Sequence, residues 1–332
     1  MRVLVTGGAG YVGSVSVERL LEAGHEVTIL DSLVTGHRRA VAAGAELVVG
    51  SVGDPSVVGP LLLRRGIEAV LHCAARSLVG ESVREPELYE RENVVGGRAF
   101  LAELAGAGVS RFVFSSTAAV YGMPDEMPIT EATPTRPINP YGATKLRFEG
   151  ALREAAEGAG LRAVALRYFN VAGASVANGE VHEPETHLIP NLLRAVETGE
   201  PVTLFGDDYP TRDGTPIRDY VHVMDLADAH LAALELTESM APSFEVANLG
   251  SGSGFSVREV VDAAELAVGA PVPQVVGPRR EGDPPVLVAA NGRARMMLGW
   301  EPRRGTLAEM IGSAWAWRRA HPGAYLAEAG TL

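Results

Sequence analysis

The sequence predicts an α/β fold, a doubly wound parallel sheet with a smaller C-terminal α/β region. Three observations predict it. Apolar strands alternate with helical stretches through the first half, several strands are continuously apolar rather than alternating, and the first strand runs into a glycine-rich turn that opens a helix. A strand apolar on both faces belongs in a sheet covered on both sides. Repeated strand–helix–strand units then impose right-handed crossovers.

Strand candidates are Arg2–Thr6, Glu26–Asp31, Ala45–Gly50, Glu68–Ala75, Arg111–Ser116 and Arg162–Phe169. Helical stretches fall near Val12–Ala23, Pro55–Arg65, Glu87–Ala107 and Pro140–Ala159. After about Phe169 the texture changes: Pro and Gly become frequent and the elements shorten, at Val202–Gly206, Tyr220–Leu234, Phe244–Leu249, Ser256–Val268 and Thr306–Ala320. This divides the chain into residues 1–170 and a smaller region, 171–332, some of whose segments return to pack on the first. A ligand is expected in the cleft beyond the carboxyl ends of the strands.

Length and composition set the class. With 332 residues, 46% of them hydrophobic, the chain can bury a sizeable core. The net charge of −12, with acids and bases interspersed, argues against binding nucleic acid or an anionic membrane, both of which need clustered cations. No charged leader or long apolar segment is visible, so a cytoplasmic protein is expected. Cys73 is the one cysteine, which excludes an internal disulfide, and it reads as a buried strand end rather than a nucleophile.

The turn after the first strand is Thr6-Gly7-Gly8-Ala9-Gly10-Tyr11-Val12-Gly13, a G-x-x-G-x-x-G spacing. Without Cβ atoms, such a turn lets a pyrophosphate approach backbone N–H groups at the positive end of a helix. Asp31 closes the second strand, where a carboxylate accepts hydrogen bonds from both adenine-ribose hydroxyls and repels a 2′-phosphate. A Rossmann-like site that prefers NAD to NADP follows.

A second constellation is Asn139-Pro140-Tyr141-Gly142-Ala143-Thr144-Lys145. Asn then Pro starts a helix, which places Tyr141 and Lys145 four apart on one face. A free phenol titrates near 10, and a neighbouring ammonium together with the positive helix end lowers that value. Of the 29 basic residues only Lys145 is a lysine. Arginine would keep the charge but not the compact ammonium that reaches a phenol and a ribose hydroxyl together. Ser115-Ser116-Thr117 ends the preceding strand, from which Thr117 can hydrogen-bond a substrate hydroxyl as its proton leaves.

These motifs, with Val79-Gly-Glu-Ser-Val83, Leu166-Arg-Tyr-Phe-Asn170, His187-Leu-Ile-Pro190, the run Asp208–Asp228 and Pro278-Arg-Arg-Glu-Gly-Asp-Pro284, make the chain resemble the extended short-chain dehydrogenase/reductase family nearly end to end. Within that family it is similar to the NAD-dependent enzymes that epimerise UDP-glucose and UDP-galactose at C4. The resemblance implies Tyr141 as base, Lys145 as its modulator and ribose anchor, and Thr117 as hydroxyl partner. It extends the NAD contacts from Gly7, Gly10, Gly13 and Asp31 to Tyr11, Val12, Ser32, Thr35, Gly36, Ser51, Val52, Cys73, Ala74, Ala75, Ser115 and Tyr168. For the UDP-sugar it implies Thr117, Phe169, Asn170, His187, Leu188, Thr203, Leu204, Phe205, Arg218, Arg280, Asp283 and Leu287. A homodimer is also implied, with an interface near Glu87–Ala107 and Pro140–Ala159.

Some positions depart from the family pattern. Ser51 stands where an Asp is common, Glu92 where an Asn is common, and Val15 where a His is common. Leu287 is smaller than the tyrosine of some relatives, which leaves room for N-acetylated hexoses. Three other readings stay open: epimerisation of UDP-glucuronate or a UDP-pentose, 4,6-dehydration, and a non-catalytic NAD sensor. Ala118 and Ala119 stand where dehydratases carry an acid pair, and a sensor has no need of Tyr141 and Lys145. His182-Glu-Pro-Glu-Thr-His187 carries metal-capable side chains, but Pro184 interrupts any helix that would pair the histidines and no cysteine supports them, so no metal is expected.

Overall fold

A computed structural model describes residues 1–280 and 282–324. Glu281 and the end of the C-terminal region, 325–332, lie outside the described residues. The first half builds β1 (Arg2–Thr6), α1 (Tyr11–Glu22), β2 (Glu26–Asp31), β3 (Glu46–Val49), α2 (Pro55–Arg65), β4 (Ala69–His72), α3 (Val79–Arg84), α4 (Pro86–Tyr89), α5 (Gly96–Gly106), β5 (Arg111–Thr117), α6 (Pro140–Ala159) and β6 (Arg162–Tyr168). The second half adds β7 (Asn170–Ala172), α7 (Leu188–Thr198), β8 (Val202–Phe205), β9 (Ile217–Arg218), β10 (Tyr220–His222), α8 (Val223–Ser239) and β11 (Ser243–Leu249). It ends with β12 (Phe255–Ser256), α9 (Val257–Val268), β13 (Gln274–Gly277), β14 (Val286–Leu287), α10 (Gly292–Leu298) and α11 (Leu307–Ala320).

Seven strands form one sheet in the order β3-β2-β1-β4-β5-β6-β11, every pairing parallel. The inner residues of β1, Val3, Leu4 and Val5, show why its sequence is apolar there. Val3 and Val5 face a core shared with Val17 of α1 and Leu226 of α8, whereas Leu4 faces one shared with Leu62 of α2, Phe100 of α5 and Phe148 of α6. Both faces are covered, so none of the three positions is free for a polar residue. The order reverses between β1 and β4, which opens a crevice above their carboxyl ends. β11 comes from the second half yet closes the sheet by pairing Ser243–Leu249 with Arg162–Tyr168.

The remaining elements gather around a third core, in which Leu192 of α7, Val260 of α9 and Ile311 of α11 are fully or almost fully buried. Three small sheets frame it: β7 with β10, β8 with β13, and β12-β9-β14.

Several elements depart from the sequence reading. β4 stops at His72, because Cys73–Ala75 turn out of the sheet against the first glycine loop, where a Cβ on Gly7 would lie 2.6 Å from the Ala74 nitrogen. The expected helix Glu87–Ala107 is α4 and α5 joined by a π-helical segment, Glu90–Val95. Inside that segment the Asn93 side chain accepts from the Arg76 backbone N–H at 2.8 Å and donates to the Arg76 carbonyl at 3.0 Å. A side chain bonding outside the helix at a widened turn is a common role of such segments. Tyr220–Leu234 divides into β10 and α8, with the His222 ring capping the helix by accepting from the Met224 N–H at 3.1 Å. The helix Leu188–Thr198 was not anticipated. Its Pro190 sits in the first turn, where no intrahelical N–H is required.

α5 crosses α6 where Gly97 meets Phe148, and a Cβ on Gly97 would lie 2.5 Å from the ring. Gly97→Ala is therefore expected to cost about 1–3 kcal/mol, measured by urea denaturation. Adding Phe148→Leu should return part of that loss.

Candidate active site

Because the sheet is parallel, the residues that follow its strands share one edge. There the Gly7–Gly13 loop after β1, Asp31 ending β2, Cys73–Ala75 after β4, Ser115–Thr117 ending β5 and Tyr168 ending β6 come together.

The loop is built on close backbone approach. A Cβ on Gly13 would lie 2.0 Å from the Gly7 carbonyl oxygen, so any side chain there would push the loop off the helix. Gly7 has φ +70°, a left-handed conformation that suits glycine. Gly10 caps α1, Tyr11 and Val12 form its first turn, and no acidic residue there competes for an anion. The Tyr11 hydroxyl donates to the Gly173 carbonyl at 2.6 Å and so ties this turn to the second half. Asp31 is buried. Its Oδ2 accepts from the Ala9 N–H at 2.9 Å and its Oδ1 from the Leu33 N–H at 2.8 Å, which fixes the carboxylate against the loop. Ser32 and Thr35 are exposed beyond it, and Gly36 approaches the Asp31 carboxylate too closely to carry a Cβ without a shift. Ser51 is exposed beside Val52, with its Oγ accepting from the Gly53 N–H at 3.1 Å. Burial pushes the Cys73 thiol up to about 12, which suits a packing residue rather than a nucleophile.

Tyr141 and Lys145 arrive as the sequence predicts. Asn139 caps α6 by accepting from the Gly142 N–H at 2.8 Å, Pro140 follows, and the two side chains share the helix face. Gly142 lets the helix end approach the turn after β5, since its Cβ would lie 2.5 Å from the Ala119 carbonyl. That approach brings the Thr117 hydroxyl beside the Tyr141 phenol.

The electrostatics differ from the sequence reading. Lys145 was expected to acidify the phenol. Instead its Nζ donates to the Ser115 carbonyl at 2.8 Å and stands 5.9 Å from the centre of the Tyr141 ring. Burial pushes the Tyr141 phenol up to about 12, against the opposing pull of the Thr117 hydrogen bond. Burial also brings the Lys145 ammonium down to about 8, against the negative groups around it. Both groups are thus held in forms that an added charge would shift strongly.

The substrate-side residues separate into groups. Arg218 on β9 donates to the Asp283 carboxylate at 2.5 Å, and the Asp283 N–H donates to the Arg280 carbonyl at 3.3 Å. The Arg280 guanidinium lies 4.1 Å from the centre of the Phe205 ring, beside Thr203 and Leu204 on β8. β14 pairs Leu287 with Arg218, and Leu287 packs on the cluster containing Phe169 and Tyr121. Asn170 is exposed at the start of β7. His187 stands apart from the arginines: its Nδ1 lies 2.6 Å from the Glu180 carboxylate, and Leu188 begins α7 immediately after it.

A buried network supports the end of β5 and was missed in the sequence. Arg167 donates to both oxygens of Glu149, at 3.0 and 2.6 Å, and the Ser116 hydroxyl donates to the same carboxylate at 2.6 Å. Arg167 also donates to the Tyr121 oxygen at 2.9 Å, and that hydroxyl donates to Asn248 at 2.7 Å. The available signal was a lone arginine within the apolar strand Ala163-Val-Ala-Leu-Arg-Tyr. Its partner lies 18 positions earlier, on another element, and no local pattern reveals it.

The geometry is now matched by comparison. A model of the NAD-dependent epimerase/dehydratase family covers residues 3–250. The chain belongs to that family. It is 52% identical over 322 residues to the UDP-glucose 4-epimerase of Corynebacterium glutamicum, with 96% of each chain covered. Among solved structures it is similar to the UDP-glucose 4-epimerase of Stenotrophomonas maltophila with bound NAD and formylated UDP-arabinopyranose, at TM-score 0.92 and 41% identity, covering 96% of this chain and 98% of that one. It is also similar to the UDP-glucose 4-epimerase of Bifidobacterium longum in complex with NAD+ and UDP, at TM-score 0.91 and 35% identity, covering 97% and 99%. Membership of this family makes NAD the cofactor, and the loop, Asp31 and the deep glycines fit it: a cradle that a Cβ would fill stands beside an acid-free helix end. No helix among the described residues is long and apolar enough to cross a membrane.

Glu149→Ala would leave Arg167 buried without its carboxylate. The expected cost is about 3–5 kcal/mol, read from chemical denaturation. Glu149→Gln, which keeps the hydrogen-bonding shape, should cost less.

Proposed function

We propose that the chain is a UDP-glucose 4-epimerase that acts by transient oxidation at C4 of the sugar. The observation that carries this reading is the meeting of Thr117, Tyr141 and Lys145 with the dinucleotide loop at one sheet edge. Tyr141 removes the proton of the sugar 4-hydroxyl while Thr117, beside the phenol, shares that hydroxyl. When bound in the Gly7–Gly13 loop against Asp31, NAD+ would supply the hydride acceptor. Lys145, anchored through Ser115, holds the cofactor ribose and adds a cation. Inversion at C4 would require the oxidised sugar to present its opposite face, so the sugar must be loosely held and the nucleotide firmly held.

The second half, residues 171–332, is mainly the UDP-sugar region in this reading. Arg218 and Arg280 neutralise the diphosphate, Asp283 accepts from ribose hydroxyls, Phe205 lies against the nucleotide, and Asn170 donates to phosphate. His187 and Leu188 border the site at the start of α7, and Leu287 with Phe169 forms the wall nearest the hexose. The protein serves galactose metabolism in the cytoplasm and works as a homodimer. The exposed Val83 and Val95, near the region that α5 and α6 present, support that interface.

Purified protein given UDP-galactose is expected to yield UDP-glucose, followed by chromatography. Tyr141→Phe should lose about 10²–10⁴-fold in turnover, while binding of UDP is unchanged. A native protein without conversion, or a Tyr141→Phe protein with full activity, refutes the respective part of the reading. The small Leu287 side chain leads to a separate expectation, slow epimerisation of UDP-N-acetylglucosamine that Leu287→Tyr abolishes without affecting UDP-galactose.

A further inference from the structure

Outside the catalytic edge, one cluster has the composition of a ligand set. Glu180, His182, Glu185 and His187 come from a single loop between β7 and α7, and their ligating atoms all lie within 4.8 Å of one another. Pro184 does interrupt any helix here, but no helix is needed, because the loop itself folds the two imidazoles and two carboxylates onto one point. This removes the premise on which the sequence reading set the segment aside.

The nitrogen–oxygen distances bracket those of a tetrahedral site. His182 Nδ1 lies 3.3 Å from a Glu180 oxygen and 3.6 Å from a Glu185 oxygen. His187 Nδ1 lies 2.6 Å from the same Glu180 oxygen and 3.4 Å from the other Glu185 oxygen. Four ligands about 2.0–2.1 Å from a zinc ion sit about 3.3–3.4 Å apart. The two imidazole rings stand 5.2 Å apart at 66°, which lets both nitrogens converge without stacking.

A second observation concerns His182. His182 Nδ1 is buried and hydrogen-bonds to nothing, although two carboxylates lie within reach. The surroundings are also arranged. The Glu180 and Glu185 side chains are only 8% and 9% exposed. Glu185 Oε1 is held by the N–H groups of Thr186 and His187 at 2.8 and 2.9 Å, and Tyr11 packs edge-on against His182. Outer contacts of this kind fix the direction of a ligand before the ion arrives.

We propose that Glu180, His182, Glu185 and His187 form a structural Zn²⁺ site. Two imidazoles with two carboxylates suit zinc better than the oxygen-seeking Ca²⁺ or Mg²⁺. Four protein ligands leave no open position, so the ion is a fastener and takes no part in the chemistry. It closes the 180–187 loop onto the start of α7, where His187 is the cap residue, and sets that loop against Tyr11 of the dinucleotide turn. The proposal stands whichever sugar the enzyme turns over.

The test is elemental analysis of protein purified without chelators, expected to find about one zinc per chain. His182→Gln and His187→Gln should each carry less than a tenth of that. Stripping the native protein with dipicolinate should lower Tm by about 5 °C or more, and Zn²⁺ but not Mg²⁺ or Ca²⁺ should restore it. Co²⁺ added to the stripped protein should give the intense visible bands of tetrahedral cobalt. Less than a tenth of a zinc per chain, with no Tm response to added Zn²⁺, overturns the proposal. So does equal zinc in the native protein and both variants. If a variant is insoluble, the native protein's zinc content, Tm and cobalt spectrum decide alone.

Discussion

Seven strands running the same way deliver their carboxyl ends to a single edge, and this constraint organises the rest of the molecule. Both faces of the sheet are sealed by helices, so polar and reactive groups can leave the core only at that edge. The Gly7–Gly13 loop, Asp31, Thr117 and Tyr168 all follow strands, and their meeting does not depend on their distance along the chain. The gap between β1 and β4 supplies the crevice in which an extended dinucleotide can lie.

The edge is costly to build. Tyr141 and Lys145 are both withdrawn from water, and burial alone drives the phenol and the ammonium towards their neutral forms. Beneath them a salt bridge between Arg167 and Glu149 is buried almost completely. Such a pair adds little net stability compared with an apolar replacement, yet removing one member is severe. Its use here is positional: the Glu149 carboxylate receives the Ser116 hydroxyl and so holds the end of β5, from which Thr117 reaches the phenol and the Ser115 carbonyl reaches Lys145.

The second half binds through a different arrangement. Arg218 is held by Asp283, and Arg280 lies flat on Phe205. Neither arginine is loose: each is held by a partner within the second half. The 180–187 loop has a compact charged interior of its own, in which His182 and His187 pair with Glu180 and Glu185.

Local chemistry was legible in the sequence wherever its cause is local. The glycine loop, the Asn139-Pro140 helix start and the Tyr141–Lys145 spacing each follow from the steric or hydrogen-bonding needs of a few adjacent residues, and the apolar strands announce a sheet covered on both sides. Tertiary structure decided what depends on contacts between distant segments. It placed β11 in the main sheet, put a π-helical segment at Asn93, paired Glu149 with Arg167, and bonded Lys145 to the Ser115 carbonyl. It also folded two histidines and two glutamates around one point. Periodicity and propensity describe a residue's neighbours along the chain, whereas burial, charge pairing and ligand geometry are set by neighbours in space.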